Sequence, residues 1–229
     1  MDRTKRLARI AGVLYLVVAV VGGLAHLYVR GKVYVPGDAA TTAAKVAANA
    51  DLVRIGVLAD LVAAAVFVML ALVLYVVLAP TGVAVARAML TFVAISAGMT
   101  SLNIVYQFAG LLVATEPSYA GSDALVLLLF DLQHYGYLAS QVFFGLWLAP
   151  LGMLAYRSGM FPRALGVVLI AACVGYLIDT VLQFLAPSLA NAVSIVTLVP
   201  PIVGEFWMLG YLLVKGVRTP KVAPTAVTA

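Results

Sequence analysis

The stretch IGVLADLVAAAVFVMLALVLYVVLA, residues 55–79, decides the fold class of this chain. It is apolar throughout except for one acid, Asp60. A helix rises about 1.5 Å per residue, so a run of roughly 20 apolar residues crosses the roughly 30 Å hydrocarbon layer of a bilayer. The stretch is therefore predicted to be a transmembrane helix that carries a carboxyl group within the membrane.

Further apolar segments repeat this pattern along the chain, and the overall composition agrees with them. Of the 229 residues, 65% are hydrophobic and 10% are charged, and the mean hydropathy is +1.12. Such values are typical of membrane proteins and exclude the soluble classes. The fold class is predicted to be all-α, a polytopic six-helix transmembrane bundle. The predicted spans are residues 10–29, 55–79, 88–114, 125–156, 164–186 and 193–214.

Lysine and arginine are distributed unequally between the two ends of the predicted spans. With a cytoplasmic N-terminus, most of them lie inside, and the outside keeps only Arg30, Lys32, Lys45 and Arg54. The positive-inside rule then predicts that both termini are cytoplasmic, and we expect the bacterial cytoplasmic (inner) membrane. The net charge of +5 follows from this distribution and from attraction to anionic lipid, so it gives no argument for nucleic acid.

The first predicted outer loop is the only long connection. A Pro-Gly turn precedes Asp38, which is suited to cap a helix, and Ala, Thr and Lys residues continue to Asn49. A short surface helix is predicted there. Because the other loops are short, residues 1–218 are predicted to form a single transmembrane domain. Residues 219–229, rich in Pro, Thr and Ala, are predicted to be a disordered cytoplasmic tail.

A weak internal repeat relates the predicted spans in pairs. An arginine marks the start of the first, third and fifth predicted spans, and a polar residue follows it at a similar separation along the sequence. The next span in each case carries an acid. The pattern is consistent with three repeated hairpins around a shared polar layer, although the positive-inside rule alone generates part of it. The arginine and polar pairs are Arg9 with His26, Arg87 with Asn103 and Arg163 with Asp179, and the acids are Asp60, Asp131 and Glu205.

Polar and titratable side chains recur within the spans at similar depths. A charged group in hydrocarbon costs about 2.5–3.5 kcal/mol even on the most lenient scale, so these residues indicate a site or buried pairs. In the fourth span Asp131, His134 and Gln141 share one helical face, whereas Gln133 points the opposite way. An outward-facing polar cavity is predicted. Its predicted ligand-binding residues are His26, Asp60, Asn103, Gln107, Asp131, His134, Gln141, Asp179 and Glu205.

Two cofactor alternatives follow from the histidines. Asp131 and His134 present a carboxylate and an imidazole on one face, so a divalent metal and an intramembrane metal-dependent enzyme are one alternative. Two histidines are too few for a three-histidine site, and no GxSxG element is present. Haem ligation by His26 and His134 is a further alternative, but no CxxCH motif supports it.

Several motifs carry a resemblance to a known family. They are DLQHYGYL at residues 131–138, YRSGMFPRALG at 156–166, GYLID at 175–179 and VPGDAA at 35–40. On these motifs the chain resembles the bacterial membrane family catalogued as domain of unknown function 4386, over almost its whole length. The resemblance implies a multi-helix inner-membrane protein and supplies no established biochemistry.

The favoured interpretation is a binding protein of the lipid bilayer. Its intramembrane acids and histidines would hold a cation, a proton or a small polar ligand for transport or sensing. Pro200 and Pro201 interrupt the sixth span shortly before Glu205, as in many transporter sites. The alternatives are the metal-dependent enzyme and a structural or regulatory protein whose polar layer only joins helices. The sequence does not indicate an oligomeric state.

The predicted orientation has a direct test. Cysteines introduced at Thr42 and Ser118 are expected to react with an impermeant thiol reagent added to whole cells, and a cysteine at Thr219 is not. The reason is that the positive-inside rule places the first two outside and the third inside. Labelling of the Thr219 position alone would reverse the orientation.

Overall fold

The computed structural model describes residues 3–119 and 122–218, and that part of the chain is helical with no strand. The predicted tail at residues 219–229 lies outside the described residues. The α-helices are α1 (Arg3–Gly23), α2 (Arg30–Val33), α3 (Ala39–Ala48), α4 (Ala50–Leu78), α5 (Val83–Thr115), α6 (Asp123–Leu146), α7 (Leu148–Ser158), α8 (Arg163–Leu185) and α9 (Pro187–Val214). A π-helical segment (Leu24–Val29) joins α1 to α2, and 3-10 turns occupy Ala79–Thr81 and Pro117–Tyr119.

Six helical segments are long and apolar enough to cross a membrane, as the sequence predicts. The predicted all-α fold class is confirmed. They are span 1 (Arg3–Val33), span 2 (Ala50–Thr81), span 3 (Val83–Thr115), span 4 (Asp123–Ser158), span 5 (Arg163–Leu185) and span 6 (Ala192–Val214).

The six spans form a closed ring. Each span packs against the next one along the chain, and α1 also packs against α9. The start of span 1 lies beside the end of span 6, because a Cβ on Gly216 would come within 3.1 Å of Lys5 Cγ. We call this side of the bundle the termini end and the opposite side, which carries α3, the loop-helix end. The main buried core, around Trp147, fills the termini end.

The outside of the ring is apolar. Large side chains such as Leu102, Ile195 and Leu27 are at least 75% exposed, on spans 3, 6 and 1. Exposure of such a surface to water is unfavourable, whereas lipid tails solvate it well. The exposed faces of the spans therefore fit the lipid bilayer as the surrounding medium.

Span 4 is irregular at one residue. The helix ends at Leu146 and resumes at Leu148, with Trp147 in a turn between them. Pro150 explains the break, because it has no N–H for the carbonyl of Leu146 and its ring crowds that carbonyl. The predicted single span therefore consists of two consecutive helices, α6 and α7.

The predicted surface helix is α3. Asp38 caps it, accepting hydrogen bonds from the Thr41 backbone N–H at 3.0 Å and from the Thr41 hydroxyl at 2.7 Å. These bonds stabilise the carboxylate and hold the pKa of Asp38 below its usual range. Thr42 is buried and donates its hydroxyl proton to the carbonyl of Val35. Ser118, which is exposed, is therefore the better position for the labelling test.

The two prolines of span 6 lie inside a continuous helix, α9. Pro201 has no N–H, so the carbonyl of Thr197 loses its helical donor. This carbonyl packs against α8 at Gly175, where a Cβ would lie 2.3 Å from the carbonyl oxygen. The absence of a side chain at Gly175 is what lets α8 and α9 approach so closely.

The variant Gly175→Ala is expected to lower the stability of the purified protein by about 1–3 kcal/mol, because α8 must move away from α9. Thermal unfolding in detergent measures the effect. Gly98→Ala in span 3 is the matched control, since a Cβ there meets nothing within 4 Å. Equal stability of the two variants would contradict the close α8–α9 contact.

Candidate functional site

A cavity of about 360 Å³ lies inside the ring of spans. Its wall is mostly apolar, with aromatic rings and a few polar groups, which is the usual character of a small-molecule site. Every span contributes to it. The polar and titratable lining includes Tyr15 and His26 from span 1, Asp60 from span 2, Ser96 and Thr100 from span 3, Tyr137 from span 4, Tyr176 from span 5 and Glu205 from span 6.

Arg30 is the centre of the polar residues beside this cavity. It is only 5% exposed, and its Nη2 lies 3.7 Å from Asp60 Oδ2 and 3.5 Å from Gln107 Oε1. Its Nη1 contacts His26 Nδ1, and its Cζ lies 5.2 Å from the centre of the Tyr137 ring. We call these five residues the Arg30 cluster. The cluster joins spans 1, 2, 3 and 4.

The π-helical segment presents His26 to this cluster. The Arg30 N–H bonds to the carbonyl of Ala25, five residues earlier, so the helix is locally widened. The His26 ring stacks on Tyr137 with the ring centres 3.9 Å apart, and it also lines the cavity. Such π-helical turns are rare and are found frequently at functional sites.

The sequence predicts that the first span ends at residue 29, just before Arg30, and this end of the span is wrong. Span 1 continues to Val33, so Arg30 lies within the span and is buried. The apolar residues on both sides of it, in AHLYVRGKVYV at residues 25–35, are the feature that could have revealed this. Because a buried cation needs partners, its burial explains why Asp60 and Gln107 lie where they do.

Asp131 and His134 belong to a different group of residues. The Tyr34 hydroxyl donates to Asp131 Oδ1 at 2.5 Å, and the Tyr34 and His134 ring centres are 5.8 Å apart. Burial, together with this hydrogen bond, raises the pKa of Tyr34, so its hydroxyl remains a donor at neutral pH. Among residues 3–119 and 122–218, no group of three or more His, Cys, Asp or Glu residues could hold a metal. The predicted metal pair therefore has no third ligand of these types there.

Asn103 joins spans 3 and 4. Its Nδ2 donates to the backbone carbonyl of Gln133 at 2.6 Å, and a Cβ on Gly136 would lie 2.0 Å from its Oδ1. The sequence predicts that Gln133 faces away from the polar residues, yet its side chain is 1% exposed. α6 packs against α3, α5 and α8, so protein covers more than one of its faces.

Glu205 lies in the cavity wall between two tyrosines. The Tyr15 hydroxyl donates to Glu205 Oε2 at 2.9 Å, and the Tyr176 hydroxyl donates to Oε1 at 2.7 Å. Neither of the ion pairs found among the described residues involves this carboxyl group. Tyr15 and Tyr176 are not among the residues that the sequence predicts for the site, although both lie mid-span, where a hydroxyl group needs a hydrogen-bond partner.

The structure does not bring Asp179 and Gln141 into the cavity wall. Asp179 is buried and accepts a hydrogen bond from the Thr197 hydroxyl at 3.4 Å, which joins spans 5 and 6. Gln141 is half-buried. The predicted polar layer is therefore divided into separate groups, of which the Arg30 cluster and Glu205 border the cavity.

Comparison with known proteins agrees with this architecture. The family model described as Domain of unknown function (DUF4386) matches residues 10–216. The chain belongs to this family. It is also similar to a protein of Archaeoglobus fulgidus named "Uncharacterized protein", with 34% identity over 84 residues, which cover 37% of this chain. The match spans about half of that relative, 48% of its length. No solved structure matches the chain.

The ion pair between Arg30 and Asp60 predicts a strong effect of single substitutions. Asp60→Asn is expected to destabilise the protein by about 3–5 kcal/mol, because it leaves the buried guanidinium without a counter-charge. Arg30→Met combined with Asp60→Asn is expected to recover much of this loss. Thermal unfolding of the single and double variants in detergent gives the coupling energy.

The exposed pair of Arg54 and Asp51, 2.8 Å apart, provides the matched control. Asp51→Asn is expected to change the stability by less than about 1 kcal/mol, because exposed ion pairs are weak. If Asp60→Asn lowers the stability as little as Asp51→Asn does, the burial of Arg30 does not depend on the Asp60 carboxylate.

Proposed function

We propose that this integral membrane protein binds a small ligand in the cavity between its six spans and acts in transport or sensing. The observation that carries the proposal is that all six spans line one cavity whose wall holds Asp60, Glu205 and His26. A ligand in that position touches every span, so its binding can favour one arrangement of the spans over another. Both transport and sensing require such a coupling.

The polar residues support a cation, a proton or a small polar molecule as the ligand. Acids within membrane spans are costly to keep and commonly mark ligand or ion pathways. The cavity volume of about 360 Å³ lies in the range of roughly 300–1,000 Å³ that is common for small-molecule sites. Its largely apolar wall with a few placed polar groups also fits a small organic ligand better than a bare ion.

The position of the site in the membrane is also part of the proposal. With both termini in the cytoplasm, the cavity lies toward the outer side of a bacterial cytoplasmic membrane. Arg30 follows the cavity-lining His26 along span 1, so the guanidinium group lies between the cavity and the loop-helix end. In this orientation a ligand or proton passing from outside meets the Arg30 cluster before it meets Glu205.

A variant that fills the cavity tests the proposal. Ala64 lines the cavity, whereas its neighbour Ala65 is exposed on the outside of span 2. Wild type, Ala64→Phe and Ala65→Phe are purified in lipid nanodiscs and screened by thermal unfolding against small inorganic cations, amines and neutral polar solutes. The screen is run at more than one pH.

A ligand of the cavity is expected to stabilise wild type and Ala65→Phe but not Ala64→Phe, because the phenyl ring occupies its space. At 100 times its dissociation constant the stabilisation should reach about 2.7 kcal/mol. If no solute stabilises wild type, or if each one stabilises all three proteins equally, the cavity is not a binding site and a structural role is the better account.

A further inference from the structure

Spans 1 and 6 touch at the termini end and separate toward the loop-helix end. Gly12 packs directly on span 6, since a Cβ there would lie 2.8 Å from the backbone N of Leu213. One turn further along, Tyr15 bonds to Glu205. Beyond that point, in the described part of the chain, no Cα atom of the π-helical segment lies within 8 Å of a Cα atom of α9. A gap is left between the two spans on the lipid-facing side.

This gap leads into the cavity. Leu27, Ile202 and Phe206 line the cavity, and they are also 75%, 55% and 65% exposed on the outside of the bundle. Gly23 lines the cavity as well, and a Cβ there meets nothing within 4 Å. We call these four residues the span 1–6 window. A molecule dissolved in the bilayer can reach the cavity through it without crossing the Arg30 cluster.

The two acids that line the cavity, Asp60 and Glu205, differ in their partners. Asp60 already faces the guanidinium of Arg30, whereas the partners of the Glu205 carboxyl group found among the described residues are the hydroxyls of Tyr15 and Tyr176. A carboxylate in apolar surroundings is stabilised most by an opposite charge. Neither of the ion pairs found among the described residues provides one for Glu205. The site therefore complements a positively charged group.

The rest of the wall complements an apolar body. Phe67, Phe144 and Phe206 line the cavity, and aromatic faces attract both hydrocarbon and ammonium groups. A hard metal ion takes about six to eight oxygen ligands, whereas in the described part of the chain hydrogen bonds bring only the hydroxyls of Tyr15 and Tyr176 to the Glu205 carboxylate. An anionic lipid head group would be repelled by the same carboxylate. These features together select a cation that carries its own apolar surface.

We propose that the cavity takes a lipophilic amine, a molecule with one ammonium group and an apolar body, from the bilayer through the span 1–6 window. The ammonium group binds the Glu205 carboxylate between the two tyrosines, and the apolar body lies against the aromatic wall. This inference rests on the proposed function, because it names the ligand class of the same cavity. It adds a route of entry from the lipid rather than from water.

Photo-labelling tests the ligand class. The protein in nanodiscs is irradiated with dodecylamine that carries a diazirine on its chain, and in parallel with dodecanol that carries the same group. Labelled peptides are identified by mass spectrometry. The amine is expected to label span 1 around Gly23 and span 6 around Phe206 about 10-fold more than the alcohol, since charge-assisted hydrogen bonds strengthen binding over neutral ones by about this factor. Unlabelled dodecylamine should compete.

Glu205→Gln keeps the size of the side chain and removes its charge. It is expected to reduce the labelling by the amine to the level of the alcohol. Gly23→Leu and Leu27→Trp narrow the window at positions with free space or an exposed side chain, and both should reduce amine labelling several-fold. Gly98→Leu, at an equally unobstructed position of span 3, should leave it unchanged.

Equal labelling by the amine and the alcohol, or undiminished labelling of Glu205→Gln, would overturn the inference. If the nanodisc screen with Ala64→Phe nevertheless finds a ligand, the cavity remains a binding site and only the amine class is wrong. If that screen also fails, the proposed function is wrong with it. Amine labelling that the window variants do not reduce would overturn the lateral route.

Discussion

The structure depends first on the burial of one positive charge. Arg30 is only 5% exposed within span 1, so protein groups rather than water must stabilise its guanidinium group. They come from three other spans, with Asp60 on span 2, Gln107 on span 3 and Tyr137 on span 4. Because each partner must reach the same guanidinium, this one side chain fixes the rotation and height of four helices relative to one another.

The size of the side chains inside the ring determines where the bundle is closely packed and where it contains a cavity. At the termini end, Trp147 and Phe67 fill the centre of the ring with large side chains. Further along span 1, Gly22 and Gly23 face the cavity together with Ala63 of span 2. Small side chains in the middle of a ring of helices leave space that the helices cannot close without breaking the Arg30 cluster. The cavity thus follows from the charge constraint and from the volumes of the lining residues.

Tyrosine hydroxyls donate hydrogen bonds to two acids that take part in neither of the ion pairs found among the described residues. Tyr15 and Tyr176 bond to Glu205 inside the ring, and Tyr34 bonds to Asp131 near the loop-helix end. A phenol brings a hydrogen-bond donor on an apolar ring, so it can serve an acid in a membrane without adding a second charge. This arrangement leaves Glu205 able to accept a charged group, whereas Asp60 is already paired.

The sequence by itself determined the spans, the surface helix with its Asp38 cap, and the presence of acids within the spans, because these depend on local apolar length and on residue type. It predicted that His26, Asp60 and Gln107 belong to a site. Only the tertiary structure decided that Arg30 joins them, that Asp179 bonds Thr197 instead, and that Gln133 is buried. Partners of this kind depend on how each helix is rotated and tilted against its neighbours, and packing across the whole ring sets those angles.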